Sequence, residues 1–123
     1  MSEQRRFTVE EANAMLPTVI PLLERLRDAN AEMEEHHDDV VTSAATNGGG
    51  ATHQAFLEAS MAAAKALGEL EAESIVVRDP ESGLIDFPAE RDGEAVLLCF
   101  QLGEAEVAWW HPPETGFAGR RPL

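Results

Sequence analysis

The stretch SIVVRDPESGLIDFPAERDGEAVLLCFQLGEAEVAWWHPP, residues 74–113, marks the point where the chain changes from helix to sheet. Its apolar and β-branched runs are short, and turn-forming residues separate them. The pattern predicts strands at about 75–78, 84–88, 94–102 and 105–111. Because the connections are short, we expect these strands to form a small antiparallel meander.

The turn signal Gly103-Glu104 sets the pairing that we expect for the last two strands. A two-residue turn there places Leu98 opposite Trp109, so Trp109 belongs to the core. Trp110 then lies on the other face beside Cys99, which we interpret as a small buried apolar residue. Trp110 needs a cover, and the candidates are the proline-rich C-terminal tail, a second subunit and a ligand.

The beginning of the chain carries a helix-start signal. Thr8 and Glu11 have the spacing of a capping box, which predicts a short helix over about 9–15. Pro17 and Pro21 follow it, and a proline inside a helix removes a backbone hydrogen bond. We therefore expect the helix to break at this point and a new one to begin at Pro17.

A long helix is predicted from about 17 to 45, and a second one from about 51 to 74. The run TNGGG, residues 46–50, indicates the turn between them. The heptad spacing of the first helix is typical of a coiled-coil seam, with Asn30 and His37 as its polar members. That seam comprises Leu16, Val19, Leu23, Leu26, Asn30, Met33, His37, Val40 and Ala44.

The overall prediction is a single α+β domain over 1–123, with a helical hairpin at about 8–74 and a small sheet and tail at about 75–123. The second helix has an additional apolar stripe that a two-helix hairpin leaves uncovered. A bundle of two hairpins would bury it, so we expect a homodimer. The stripe comprises Leu57, Met61, Ala64, Gly68 and Ile75.

The composition excludes several classes of function. The chain is acidic, with 23 Asp and Glu against 9 Lys and Arg and a formal net charge of −14. Nucleic acid and anionic membranes both require basic patches, so neither is an expected partner. No apolar run reaches the roughly 18 residues of a membrane span. The chain also begins without the apolar segment of a signal peptide, so we expect a cytoplasmic protein.

The run EEHHDD, residues 34–39, has the composition of a metal site that His53 would complete. Two features oppose that interpretation. Consecutive residues point in different directions around a helix, and His37 and His53 would be offset by roughly 7–9 Å along the hairpin. We therefore favour an acidic surface, with His37 as a seam residue whose burial makes stability depend on pH.

The strand half contains a second group of polar residues. Depending on the register that the loop at 89–93 sets, Asp86 either shares a sheet face with His111 or lies on the opposite one, and the sequence leaves both open. Trp110 and Arg120 are predicted near the same end of the sheet. The candidate ligand-binding residues are Asp86, Trp110, His111 and Arg120.

Three kinds of chemistry are compatible with this group. His111 could act as a general base that Asp86 orients. Arg120 or Arg121 could hold a small anionic ligand through two hydrogen bonds. A metal could be bound by His111 with Asp86 or Glu106, although no spacing motif supports such a site.

The segments FTVEEANAMLP (7–17), GLIDFPAERDGEAVLLCFQLGE (83–104) and EVAWWHPPETGFAGRRPL (106–123) resemble a bacterial family, domain of unknown function 2203. The resemblance implies a small cytoplasmic protein with a helical hairpin and a small sheet, and it implies no activity. Phe100 stands where the family pattern has tryptophan. Polar or special positions of the pattern correspond to Asp86, Glu104, Trp110, His111, Gly119 and Arg120.

The sequence therefore leaves two principal hypotheses of different classes. The first is a homodimeric interaction module built on a helical bundle, with a further protein partner as an option. The second is a small-ligand-binding or enzymatic domain that uses the polar group of the sheet, with or without a metal. Substrate, cofactor and partner are not specified by the sequence.

Overall fold

The computed structural model describes the backbone of residues 5–46 and 50–123, and the side chains of residues 5–37 and 53–123. Two long helices pack against each other, and a five-stranded antiparallel sheet follows, which confirms the predicted α+β class. The elements are α1 (Val9–Thr46), α2 (Gly50–Ala72), β1 (Val76–Asp79), β2 (Leu84–Arg91), β3 (Glu94–Gln101), β4 (Trp109–His111) and β5 (Arg121–Pro122).

The first helix begins where the sequence predicts. The Oγ1 atom of Thr8 accepts a hydrogen bond from the Glu11 amide at 3.0 Å, and a Glu11 carboxylate oxygen accepts one from the Thr8 amide at 2.9 Å. This is the predicted capping box. Just before it, the amide of Phe7 donates to the carbonyl of Pro88 at 2.7 Å, which ties the start of the helix to β2.

The predicted break at the prolines was wrong, because α1 runs through Pro17 and Pro21. Both prolines lie on the exposed side of the helix. The buried stripe continues past them through Leu16, Val19 and Leu23. Each of these side chains contributes about 1.5–3 kcal/mol when buried, which offsets a cost of about 3 kcal/mol per proline.

The predicted seam is correct only in its first half. It is buried up to Leu26, but Ala29 rather than Asn30 is the next buried residue, and His37 is exposed while His36 is half-buried. The step from Leu26 to the next buried residue is three residues where the heptad predicts four, so Ala29 and His36 each lie one residue before the predicted seam position. The expectation that burial of His37 controls stability was therefore wrong.

The structure also bears on the uncovered stripe and on the turn of the predicted hairpin. Ile75 is buried in the core, whereas the other four residues of the predicted uncovered stripe are exposed. The middle of the predicted TNGGG turn and the side chains of Val40 and Ala44 lie outside the described residues. None of the described helices combines the length and the apolar character that a bilayer span needs.

The sheet has the order β1-β2-β3-β4-β5, and every neighbouring pair is antiparallel. Between β2 and β3, Asp92 and Gly93 form a two-residue turn with φ of 53° and 80°, which places Arg91 opposite Glu94. One sheet face packs on the helices. Its buried residues on β2 and β3 are Ile85, Phe87, Ala89, Val96, Leu98 and Phe100.

The predicted register of β4 was wrong by one residue. Leu98 pairs with Trp110 and Cys99 pairs with Trp109, because the connection after β3 is longer than a two-residue turn and β4 begins only at Trp109. A shift of one residue exchanges the faces of a strand. Trp110 is therefore the tryptophan that packs against the core, and Trp109 lies on the opposite face. The final strand, β5, was not predicted.

Candidate functional site

The side of the sheet that faces away from the helices, which we call the outer face, carries three buried polar side chains. Asp86 of β2 pairs with Cys99 of β3, and His111 lies on β4 two residues beyond the partner of Cys99. Their exposed fractions are 1%, 1% and 2%. One ligand atom of each residue lies within 4.8 Å of the other two.

The two ring nitrogens of His111 both have hydrogen-bond partners. Nδ1 lies 2.8 Å from the carbonyl oxygen of Pro112, and Nε2 lies 3.0 Å from Oδ1 of Asp86. A carbonyl can only accept, so Nδ1 carries a proton. In a neutral ring, Nε2 then presents a lone pair towards a carboxylate, and this contact is favourable only with a proton or a metal cation between the two atoms.

Arg78 completes the contacts of the Asp86 carboxylate. Its Nε donates to Oδ2 of Asp86 at 2.7 Å, while the Arg78 side chain remains 48% exposed. Asp86 is thus held between an arginine on one oxygen and a histidine on the other. The arrangement fixes the direction of the carboxylate. A carboxylate that binds a metal ion through one oxygen needs such an orientation.

Cys99 is the residue that the sequence interpretation missed. Burial, together with the negative charge of Asp86, raises the pKa of its thiol to about 12, so the thiol is protonated at neutral pH. A sequence signal for it existed. If Asp92-Gly93 is taken as the two-residue turn of the hairpin, Asp86 falls directly opposite Cys99.

A cavity of about 180 Å³ opens above these residues. Arg78, Asp86, Cys99 and His111 all contribute to its lining. The remaining wall is formed by Leu84 and by the C-terminal tail, through Pro113, Thr115, Gly116 and Phe117. The sheet therefore supplies the polar floor of the cavity, and the tail supplies a largely apolar cover.

The tail is held on the sheet through Arg120. Its guanidinium donates to the carboxylate of Glu104 and lies over two rings, 5.0 Å from the centre of Trp109 and 4.6 Å from that of Phe117. A Cβ atom at Gly119 would overlap the side chain of Thr115, so the turn of the tail needs glycine there. The tail thus covers the outer-face tryptophan, which is Trp109.

The candidate residues from the sequence have different positions in the structure. Asp86 and His111 are brought together, on the outer face rather than on the helix-facing side. Trp110 lies on the helix-facing side, where Arg91 and Arg121 stack on it, and neither it nor Arg120 lines the cavity.

The structure also places most residues of the two metal sites that the sequence raised, of which the one at residues 34–39 was already disfavoured. Glu106 is exposed and does not join the group of Asp86, and His37 and His53 are both exposed as well. The side chains of residues 38 and 39 lie outside the described part. Within the part of the chain whose side chains are described, the group of three potential ligands consists of Asp86, Cys99 and His111.

The geometry of the site disfavours general-base catalysis by His111 and favours metal binding. A general base needs one ring nitrogen that faces the substrate, and neither nitrogen of His111 is free in this arrangement. By contrast, one carboxylate oxygen, one thiol sulfur and one imidazole nitrogen are a donor set that Zn²⁺ accepts.

Comparison with known proteins gives a single positive result. The model of a family described as an uncharacterized conserved protein (DUF2203) matches residues 5–123, nearly the whole chain. No curated protein and no solved structure matches the chain significantly.

Proposed function

The chain belongs to the DUF2203 family, and we propose that this member is a metal-binding domain that holds Zn²⁺ through Asp86, Cys99 and His111. One observation carries the proposal. Nδ1 of His111 lies 2.8 Å from a backbone carbonyl oxygen and Nε2 faces the carboxylate of Asp86 and the thiol of Cys99, so a neutral ring turns its lone pair towards both groups. A histidine that ligates a metal through one nitrogen normally donates from the other in this way.

The distances are compatible with a tetrahedral ion. Zn²⁺ with ligands at roughly 2.0–2.3 Å separates its ligand atoms by about 3.3–3.8 Å. The three donor atoms already lie within 4.8 Å of one another, on three adjacent strands of one sheet. Closing the site would therefore need side-chain shifts of about 1 Å, without a change of strand register.

The surroundings of the three residues support an open site. Arg78 and the carbonyl of Pro112 hold Asp86 and His111 from outside the ligand set, as partners of metal ligands do. Three protein ligands leave a fourth position of Zn²⁺ unfilled, which is typical of catalytic rather than structural zinc. All three ligands line the cavity, so this position would face it.

Cobalt substitution of the untagged protein tests the proposal. Cys99 is the sole cysteine of the chain, so a thiolate-to-cobalt charge-transfer band can come from no other residue. We expect one Co²⁺ or Zn²⁺ per chain by native mass spectrometry, together with this band. Cys99→Ser should abolish the band, and His111→Gln should abolish metal binding.

His53→Gln is the matched control, because His53 is an exposed histidine on α2. It should leave both metal content and spectrum unchanged. If the wild-type protein takes up no metal at stoichiometric Co²⁺, or if Cys99→Ser retains the band, the proposal is wrong. The group would then be a buried ion pair of protonated His111 and Asp86 next to a thiol.

A homodimer remains a second candidate function, because α2 has an uncovered apolar side. Met61 is 71% exposed and Leu57 is 42% exposed. Ala64 and Gly68 continue the same side of the helix and are small enough for a second copy of the helix to approach closely. We propose that this side is where two copies of the chain associate.

Light scattering coupled to size-exclusion chromatography tests the dimer. The wild-type mass should be twice that of one chain, and Met61→Glu should reduce it to one chain by placing a charge in the interface. Ala14→Glu adds the same charge to an exposed position on α1 and should leave the dimer intact. A wild-type mass of one chain would exclude this second candidate.

A further inference from the structure

We infer that the cavity binds the carboxylate of a small, partly apolar organic acid, with one carboxylate oxygen on the metal and the other on Arg78. This inference rests on the metal site proposed above and adds the class of its ligand. It follows from three features of the cavity: the free end of Arg78, the balance of charge and the apolar cover.

The first feature is the geometry of Arg78. Its Nε is used by Asp86 at 2.7 Å. Within the described side chains, its two terminal nitrogens have no hydrogen-bond partner, although the residue lines the cavity and is half-exposed. A guanidinium that is fixed at Nε and free at its end can donate to a carboxylate in a defined direction.

The second feature is the balance of charge. The carboxylate of Asp86 and the thiolate of Cys99 together neutralise a divalent ion, so the charge of Arg78 remains uncompensated at the cavity. The whole chain carries a formal charge of −14, and a locally positive cavity is therefore a departure from its surroundings. A monoanion at this position restores neutrality, and a cation does not.

The third feature is the size and the apolar cover of the cavity. Its volume of about 180 Å³ is slightly larger than the roughly 150 Å³ that holds a benzene molecule. Leu84, Pro113 and Phe117 form apolar parts of its wall. A ligand with one carboxylate and a small apolar body fits both parts, whereas inorganic phosphate would leave the apolar wall unused.

Titration of the cobalt-loaded protein tests this inference, with benzoate, benzamide, acetate and inorganic phosphate as probes. Benzoate should change the ligand-field spectrum of Co²⁺ and displace its bound water. Benzamide has the same shape without the charge and should bind at least about tenfold more weakly. Acetate lacks the apolar body and should also bind more weakly than benzoate.

Two variants separate Arg78 from the metal. Arg78→Gln should weaken benzoate by about tenfold or more while the thiolate-to-cobalt band persists. Arg91→Gln is the matched control, because Arg91 is an exposed arginine that stacks on Trp110 on the other side of the sheet. It should change neither the band nor the affinity for benzoate.

The outcomes distinguish this inference from the metal proposal. If Co²⁺ binds and benzoate leaves its spectrum unchanged, the inference fails and the metal site stands. Phosphate that binds more tightly than benzoate, or acetate that equals it, overturns the ligand class. Loss of the cobalt band in Arg78→Gln would show that Arg78 only positions Asp86. If no metal binds, both proposals fall together.

Discussion

Arg120 and Glu104 form the contact that fastens the C-terminal tail to the sheet. Nη2 of Arg120 lies 2.8 Å from one carboxylate oxygen of Glu104 and 2.7 Å from the other. The first of these oxygens also accepts the amide of Gln101 at 2.7 Å. The Arg120 and Glu104 side chains are only 11% and 24% exposed, so solvent screens the pair little.

Loss of Arg120 should therefore destabilise the protein. Arg120→Gln leaves the Glu104 carboxylate without its charged partner, and we expect the free energy of unfolding to fall by about 2–4 kcal/mol. Arg121→Gln changes an exposed neighbour that stacks on Trp110 and should cost no more than about 1 kcal/mol. Urea denaturation of both variants measures the difference, and equal effects would contradict the role of the pair.

The two tryptophans should respond differently to the tail. Arg120 stacks on Trp109, whereas Trp110 packs against the core. In a Trp110→Phe background, Arg120→Gln should shift the remaining emission to the red, because Trp109 gains contact with water. In a Trp109→Phe background, the same substitution should leave the emission nearly unchanged. A red shift in both backgrounds would mean that the whole sheet edge opens.

Truncation of the tryptophans should show the same division. Both rings are half-buried, so the cost of Trp110→Ala should lie near the low end of the usual range, at about 3 kcal/mol, because it leaves a void beside the core. Trp109→Ala should cost less. Thermal unfolding compares the two, and a more severe effect of Trp109→Ala would contradict the assignment of the faces.

The thiol of Cys99 should react slowly in the metal-free protein. Its pKa is raised from 9.0 to about 12 by burial and by the charge of Asp86, so little thiolate exists at pH 9. Alkylation by iodoacetamide at pH 9 should be at least about tenfold slower in the native protein than in the unfolded chain, because the thiolate is the nucleophile.

The raised pKa of Cys99 also makes the stability of the fold depend on pH. Since the folded state holds the thiol proton to higher pH than the unfolded chain, the contribution of Cys99 to stability is present below pH 9 and is lost as the pH rises towards 12. Asp86→Asn should lower the pKa and speed alkylation. Glu106→Gln, an exposed change, should leave the alkylation rate unaltered. Fast alkylation of the native wild type would contradict the prediction.

Two turn glycines allow a matched comparison. Gly83 and Gly93 both have positive φ, 72° and 80°, so alanine is strained at either position. A Cβ atom at Gly83 would in addition overlap the side chain of Leu102, whereas one at Gly93 meets nothing. Gly93→Ala should cost about 1 kcal/mol and Gly83→Ala about 2–4 kcal/mol. Equal losses of stability in urea would contradict the overlap.

Local signals in the sequence determined the elements of this fold. The capping box at Thr8 and Glu11 predicted the start of α1, and the periodicity up to Leu26 predicted its buried stripe. The turn residues between the apolar runs predicted β1, β2 and β3 to within a few residues. These features depend on neighbours within a few residues, and such interactions are readable from one chain.

Tertiary structure decided what the local signals left open. Burial across Pro17 and Pro21 kept α1 continuous at the cost of backbone hydrogen bonds. The shift of one residue between β3 and β4 exchanged the faces of Trp109 and Trp110, because strand side chains alternate and register depends on the whole connection.

The candidate site also depends on strand register. Asp86, Cys99 and His111 meet because the registers of two neighbouring strand pairs place them together on the outer face. The sequence singled out Asp86 and His111 by their chemistry, whereas the residue type of an isolated cysteine in an apolar run gives no such signal and only the turn at Asp92-Gly93 points to it. Only the pairing of β2 with β3 brings its sulfur to the carboxylate, since contacts between distant residues arise from packing rather than from local preference.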